Sequence, residues 1–409
     1  MEFRSRTSRY RSASFLDMQG RGPSMAFGAR SSAQQFLRTL TRAARRDRVR
    51  FTPPPFWLKQ GKDLAEIWLP SAGCAWDLSG HCFACNFGHP FRPNHDEMVA
   101  AVALGLAALD TMPAALWVSS FNFLHPREVH PSVRRRILAM IAQTGCQVVF
   151  TESHPRTITP EAIADCVAAL PGKRFIVELG VESTSDFVRT WGFGKDFDGK
   201  ELSRAVACAR DGGAACCFNI MVGMPMLSEI EAIRDATASV HESFMLGADS
   251  VVLFPCRVKE NTLLGLFHAE GHVSPISLTS LAAVIAGVDP ALWPRIHLSW
   301  VTPKQHPGHP VSLDPPVLHG VPAVLMDALT RFDQCHDGTA LVGLARDPAY
   351  QAWLARSPPQ TPLPDRMLAA FSSAAGTLLN PGYWDSQRSA VEIALRTDWT
   401  SACSTRLSY

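Results

Sequence analysis

Between Ala65 and about Pro255 the chain alternates short apolar runs with longer amphipathic stretches. The runs are Glu66–Leu69, Ala115–Val118, Gln147–Phe150, Phe175–Leu179, Cys216–Val222 and Ser250–Phe254. Short, nearly continuous apolar runs suit parallel strands buried on both faces. The stretches between them are helix-like: His95–Leu109, Pro131–Gln143, Pro160–Leu170, Lys200–Asp211 and Ser228–Leu246. Strands alternating with helices predict βαβ units and a parallel sheet. The expected fold class is therefore α/β, a partial (β/α)6 TIM-like barrel with a mostly helical C-terminal extension. In a barrel of this kind the chemistry lies at the carboxyl ends of the strands.

The flanks lack this rhythm. Ala33, Phe36, Leu37, Leu40 and Ala44 form an apolar stripe that predicts a helix from Ser32 to Arg46. Pro53-Pro54-Pro55 then breaks the chain. After residue 255, Pro275, Pro290, Pro294, Pro303, Pro307, Pro310, Pro315 and Pro316 interrupt any regular pattern. Residues 303–317 read as a long loop. Helical stretches follow over 322–354 and 364–395, expected to cover the open side of the barrel. The expected division is a basic leader over 1–52, a catalytic core over 53–270 and an extension over 271–409.

Composition narrows the class. Hydrophobic residues make up 46% of the chain and charged residues 19%, enough for a substantial core. A net charge of +2 argues against a chain-wide nucleic-acid surface. The charge is concentrated at the start: Arg4, Arg6, Arg9, Arg11, Arg21, Arg30, Arg38, Arg42, Arg45, Arg46, Arg48 and Arg50 face only Glu2, Asp17 and Asp47. Such a segment reads as a transit peptide, as a tail, or as residues upstream of a true start at Met18 or Met25. There is no apolar signal region and no stretch of about 18 apolar residues, so a cytoplasmic protein without a membrane span is expected. The odd count of 11 cysteines favours reduced thiols, some of them metal ligands, over a disulfide framework.

The densest chemistry lies directly after the first predicted strand, in Gly73-Cys74-Ala75-Trp76-Asp77-Leu78-Ser79-Gly80-His81-Cys82-Phe83-Ala84-Cys85-Asn86-Phe87-Gly88. The spacing is C-x7-C-x2-C. Clusters that only carry electrons are commonly held by four cysteines. Three thiolates in one loop leave the fourth iron of a [4Fe–4S] cluster open to an outside ligand. On spacing alone, zinc held by these cysteines with His81 or His89 fits equally well.

The loop and its place after the first strand resemble the radical SAM (S-adenosylmethionine) superfamily. Most members carry C-x3-C-x2-C. The longer first gap is similar to the archaeosine synthase radical SAM subunit, a tRNA-modifying branch related to the Elp3-like group. That branch shares a Gly-Cys-x-Trp start and a Gly-x-Cys-x-x-Cys finish, here Gly73-Cys74-Ala75-Trp76 and Gly80 through Cys85. The likeness continues in order over residues 65–265. It runs through Val118-Ser119-Ser120, Phe150-Thr151-Glu152, Val177 through Ser183, Phe218-Asn219 through Pro225, and Phe254 through Thr262.

The resemblance implies that Cys74, Cys82 and Cys85 ligate the cluster and that SAM is the second cofactor. It places Ser119 and Ser120 at the SAM amino group. Glu152, Glu182 and Asn219 then lie near strand ends, where ribose or the amino acid moiety binds. Ala84 stands where the superfamily often has an aromatic residue, so Phe83 or Phe87 is expected to stack near the adenine. Lys195, Arg204 and Arg210 are candidate partners of the SAM carboxylate or solvated helix charges. No single catalytic residue emerges.

Cys216 and Cys217 are adjacent in a strand and must point to opposite faces. Cys208, Cys256 and Cys335 read as further free thiols. His297, His306 and His309 read as surface or lid residues. The first functional reading is radical modification of a small molecule, with an electron donor such as flavodoxin or ferredoxin. A tRNA-modifying enzyme and a zinc-stabilised binding protein are the alternatives.

Overall fold

The computed structural model describes residues 25–45, 56–71, 73–88, 92–299, 301, 322–356, 359 and 361–406. The sequence readings for residues 1–24, Pro53–Pro55, His89, the 303–317 loop, His306 and His309 lie outside them.

Helix α1 (Met25–Ala43) leads into an edge strand β1 (Trp57–Gln60) and the first core strand β2 (Leu64–Trp68). A short helix α2 (Ala75–Leu78) lies in the cysteine loop. The alternation then runs α3 (His95–Ala107), β3 (Ala115–Ser119), α4 (Pro131–Ala142), β4 (Val148–Ser153), α5 (Pro160–Ala168) and β5 (Arg174–Glu182). It continues with α6 (Gly199–Asp211), β6 (Ala215–Val222), α7 (Glu229–Leu246) and β7 (Ser250–Pro255). Next come α8 (Leu263–Ala269), α9 (Leu278–Gly287) and β8 (Ile296–Leu298). Helices α10 (Pro322–Cys335), α11 (Thr339–Ala345), α12 (Pro348–Ala355), α13 (Leu363–Leu378) and α14 (Pro381–Arg406) complete the chain.

The eight strands form one sheet in chain order, curled into a half-barrel. All six expected strands are present, parallel and adjacent. Two strands were not anticipated. β1 pairs antiparallel with β2, and β8 extends the parallel series beyond residue 270. The expected helix over 322–354 is three helices, and that over 364–395 is two.

Local chemistry accounts for the helix starts. Asn94, Asp198 and Ser228 each cap their helix, and their own backbone N–H donates in return to the carboxylate of Glu97, Glu201 or Glu231. Pro131 and Pro160 occupy first turns, where a missing N–H costs nothing.

Alternation along the strands divides them between two environments. Leu116, Val118, Val149, Val177, Leu179, Cys216, Phe218, Ile220, Val251 and Leu253 pack under the helices in the main core. Ile176, Ala215 and Cys217 form a small separate cluster with Val148, Phe150 and Val252, closing the floor of the half-barrel. Cys216 and Cys217 thus occupy opposite faces. A second large core lies on the side of the cysteine loop. There Phe36, Leu37 and Leu40 of α1 meet Phe83, Trp191, Phe267, Phe371 of α13 and Trp384 and Val391 of α14. Burying each such large side chain contributes roughly 1.5–3 kcal/mol. The C-terminal helices and α1 therefore brace the loop that carries the cysteines.

Candidate functional site

The cysteine loop leaves the carboxyl end of β2. Gly73 and Gly88 pair as an antiparallel bridge, and the Cys74 N–H donates to the Phe87 carbonyl at 3.3 Å, so the loop closes on itself. Within it Gly80 (φ 88°) and Cys82 (φ 63°) take left-handed backbone conformations, and the Cys85 N–H donates to the Cys82 carbonyl at 3.1 Å. The chain after β5 braces this turn. Phe83 N–H donates to the Phe193 carbonyl at 2.8 Å, and Gly194 (φ 81°) lies so close that a Cβ there would meet the Phe83 ring at 2.6 Å. Only glycine fits that position.

Cys82 is buried and Cys74 and Cys85 are half-buried. Their sulfurs lie within electrostatic reach of one another. The Cys82 thiol hydrogen-bonds to Cys85, which pulls the Cys85 pKa below its ordinary value; the ammonium groups of Lys259 and Lys195 act in the same sense. Burial pushes Cys74 well up, with Glu128 and Asp77 adding to it. A loop that buries three thiols beside two lysines is built to gain from a positively charged inorganic core, since ligation requires the thiolates. Three thiols drawn into one loop are the donor set an iron–sulfur cluster takes, while among the described residues no three ligating side chains are already set at metal-binding distance. Of the two histidines that could complete a zinc site, His89 lies outside the described residues, and His81 has its Nδ1 engaged with the Ser79 hydroxyl at 2.7 Å and its Nε2 3.8 Å from Asp196.

Beside Cys85 opens a cleft of about 150 Å³ in the half-barrel. Cys85, Phe87, Glu152, Glu182, Asn219 and Lys259 line it, joined deeper by Trp117 and Glu178. Four of the six sequence-derived cofactor residues thus share one cavity. Asn219 presents an Oδ1 with no hydrogen-bond partner. Glu182, in a left-handed conformation (φ 66°), holds Lys195 with one carboxylate oxygen at 2.8 Å and leaves the other without a partner. Phe87 stacks on Phe121 with ring centres 4.7 Å apart, and the Lys259 ammonium sits 3.8 Å over its ring. Ser119 and Ser120 stand just behind this wall, both fully buried. Ser119 donates to Glu152 at 2.8 Å, whereas the Ser120 hydroxyl has no partner. Phe83 turns away into the second core.

The other candidates separate clearly. Lys195 is buried at the site. Arg204 is a structural pin, donating to the Pro155 and Ile158 carbonyls at 2.8 and 2.9 Å. Arg210 packs against Gly247. Cys256 is buried near Cys85, Glu182 and Lys259, and burial raises its pKa to about 12. Cys335 is exposed, and its thiol donates to the Arg331 carbonyl at 3.0 Å. His297 lies on β8 with its ring 5.6 Å from that of His336.

Sequence reasoning missed a polar network behind the loop. Trp76, between the first two cysteines, donates to Asp196 at 2.8 Å and stacks on His154 with centroids 3.8 Å apart. His154 Nε2 approaches Asp196 to 3.4 Å, and Arg156 pairs with the same carboxylate. Burial lowers both imidazoles to about 4, with Asp196 opposing that shift. Unfolded, they titrate near 6.5. Between these values the unfolded chain binds more protons, so stability falls as pH drops from about 6.5 to 4. The loss should be on the order of 3 kcal/mol per histidine. Urea titrations at pH 7 and pH 4.5 check this; equal midpoints would rule it out.

No protein-family model matches the chain. Archaeosine synthase subunit beta of Methanosarcina acetivorans is 26% identical over 262 residues, covering 63% of this chain and 71% of that protein. The namesake protein of Thermococcus kodakarensis is 23% identical over 182 residues, covering 42% of this chain and 56% of its own length. Among solved structures, the radical SAM methyltransferase TsrM of Kitasatospora setae aligns with a TM-score of 0.42 at 16% identity, covering 72% of this chain and 63% of that one. Elp3 of Methanocaldococcus infernus aligns with a TM-score of 0.43 at 16% identity, covering 58% of each chain. Structural likeness this loose carries no argument. The two sequence relatives bear out the resemblance to the archaeosine synthase branch of the radical SAM superfamily.

Proposed function

We infer that this chain, a radical SAM superfamily protein related to archaeosine synthase subunit beta, is an enzyme that reductively cleaves SAM and uses the resulting radical to modify a small organic group. The observation that carries this reading is the meeting of the cysteine loop with the cleft. One of its three cysteines, Cys85, faces a cavity lined by unpartnered acceptors, an aromatic face and two cations, Lys259 and Arg257. When bound, the cluster supplies an electron to the sulfonium of SAM, breaking one carbon–sulfur bond.

The chain's own residues bind, orient and exclude water. Asn219 Oδ1 and the second oxygen of Glu182 accept from the ribose hydroxyls or amino group of SAM. Glu152, oriented by Ser119, holds the same side of the cavity. Arg257 and Lys259 bring positive charge to the wall where the SAM carboxylate lies. Phe87, held between Phe121 and the Lys259 ammonium, offers the adenine its ring edge. No helix of the described residues is long and apolar enough to cross a membrane.

The relatives' name favours a second reading, in which that group belongs to a tRNA nucleoside. A salt-sensitive tRNA gel shift supports it, and no binding at low salt removes it. Truncation for that test should stop at Met25, because α1 is part of the folded body.

The test of the main reading is product analysis. The chain is reconstituted anaerobically with iron and sulfide, then given SAM and dithionite. Release of 5′-deoxyadenosine is the expected result and marks hydrogen-atom abstraction. Release of 5′-methylthioadenosine marks transfer of a 3-amino-3-carboxypropyl group instead. No SAM cleavage by a fully loaded protein overturns the reading.

A further inference from the structure

The arginine-rich start of the chain looks like a solvated leader, yet Arg45 is buried to within 8% of full enclosure. Its guanidinium donates to the carbonyls of His81 at 3.0 Å, Cys82 at 2.7 Å and Cys85 at 3.0 Å, and also to that of Asp77. It pairs with the Asp77 carboxylate, which in turn accepts from the Gly88 N–H. One planar fork therefore ties together the helix after Cys74, the Cys82–Cys85 turn and the closing end of the loop. Two of the carbonyls it holds belong to the cysteines themselves.

Helix α1, just before Arg45, presses on the same loop. Arg42 donates to the Ser79 carbonyl at 2.7 Å. A Cβ on Gly80 would meet the Arg38 carbonyl at 2.8 Å and the Arg42 Cγ at 2.9 Å. Phe36, Leu37 and Leu40 anchor the helix in the second core. Burying a guanidinium is costly unless its donors are satisfied, and here backbone carbonyls of the ligand loop accept from both terminal nitrogens.

We propose that Arg45 is a positioning residue for the iron–sulfur cluster, clamping the backbone of Cys82 and Cys85 so that their sulfurs are preset for it. The proposal rests on the radical SAM reading. Lysine cannot replace it, because one ammonium nitrogen cannot hold the Asp77 carbonyl, taken by Nη1, together with the three carbonyls gathered at Nη2. Removing the guanidinium would leave the buried Asp77 carboxylate uncompensated beside the ligand backbone, which disfavours the reduced cluster with its one more electron.

The experiment compares wild type, Arg45→Lys and Arg45→Ala as full chains. Three quantities are read: the rate of iron loss to a chelator, the midpoint potential of the loaded cluster, and the urea midpoint of the metal-free chain. Outer-shell partners of metal ligands typically tune metal affinity or activity by about 10–100-fold. Both variants should lose iron faster by that order, and Arg45→Ala should also reduce at a more negative potential. If the variants load and match wild type in chelator resistance and potential, the clamp is wrong, even where the metal-free Arg45→Ala chain unfolds at lower urea. If Arg45→Ala does not fold, Arg45→Lys carries the comparison. Failure of wild type itself to bind iron would instead bring down the cluster reading, which separates the two failures.

Discussion

Cys82→Ala, purified without oxygen, should be colourless and hold essentially no iron or acid-labile sulfide, while wild type is brown. SAM cleavage should fall to background. Cys82 is the most informative ligand to remove because its surroundings survive the change. Its thiol is 5% exposed, and the loop around it is held by backbone bonds from Phe83 to Phe193 and from Leu264 to Phe83 at 2.8 and 3.1 Å. Its left-handed backbone (φ 63°) strains cysteine and alanine alike, because both carry a Cβ. The metal-free variant should therefore unfold within about 1 kcal/mol of metal-free wild type, in the range of single substitutions that break no network. Three cysteines leave no spare ligand, so losing one leaves an iron without protein attachment. Cys256→Ala is the matched control. That thiol lies near Cys85 but outside the loop, and its loss should leave the colour intact. One zinc per wild-type chain, with neither iron nor sulfide, would defeat the assignment outright.

How much of this was legible beforehand follows from where each signal resides. The six central strands are buried on both faces, so their apolar runs stand out against the helices. β1 did not stand out. Trp57-Leu58-Lys59-Gln60 is a half-exposed edge strand whose pairing with β2 is antiparallel. β8 has three residues and follows a proline-containing turn, too short to leave a pattern. The cysteine loop was readable because its spacing is local. Glu152 and Glu182 stand at or next to the carboxyl ends of β4 and β5, where a βα series converges, and Asn219, further back in β6, lines the same cleft. Trp117 and Glu178 were not assigned. They sit mid-strand, and only the curl of the sheet shows that their face lines a cavity. Arg45 and Asp196 were invisible for a different reason. Arg45 lies 37 residues from the Cys82 carbonyl it holds, and Asp196 lies 120 from Trp76, so neither pairing leaves a periodic trace. A charge in an arginine-rich segment reads as solvated until the fold shows what encloses it.

The largest effect on stability should come from Lys195. Its ammonium pairs with Glu182 at 2.8 Å and donates to the Gly180 carbonyl, with both side chains only about a tenth exposed. Burial opposes the charge, but Glu182 and the nearby Cys82 sulfur outweigh it and hold the Lys195 pKa above its ordinary value. The lysine is thus charged at neutral pH. Lys195→Met keeps the length and removes the charge, leaving the Glu182 carboxylate and the Gly180 carbonyl enclosed without a cation. Breaking a buried pair from one side typically costs about 3–5 kcal/mol. Urea unfolding of the metal-free variant should show a loss of that size with an unchanged slope. Lys195→Met with Glu182→Gln removes both charges and should recover part of it, because the remaining amide needs no counter-ion. Additive losses in the double variant would mean that the two side chains are not coupled. The pair also bears on chemistry. Glu182 lines the cleft with its second oxygen, and Lys195 fixes the rotamer that aims it there. The single variant should therefore raise the apparent KM for SAM in loaded protein, whereas an unchanged KM would remove Glu182 from the SAM-binding wall.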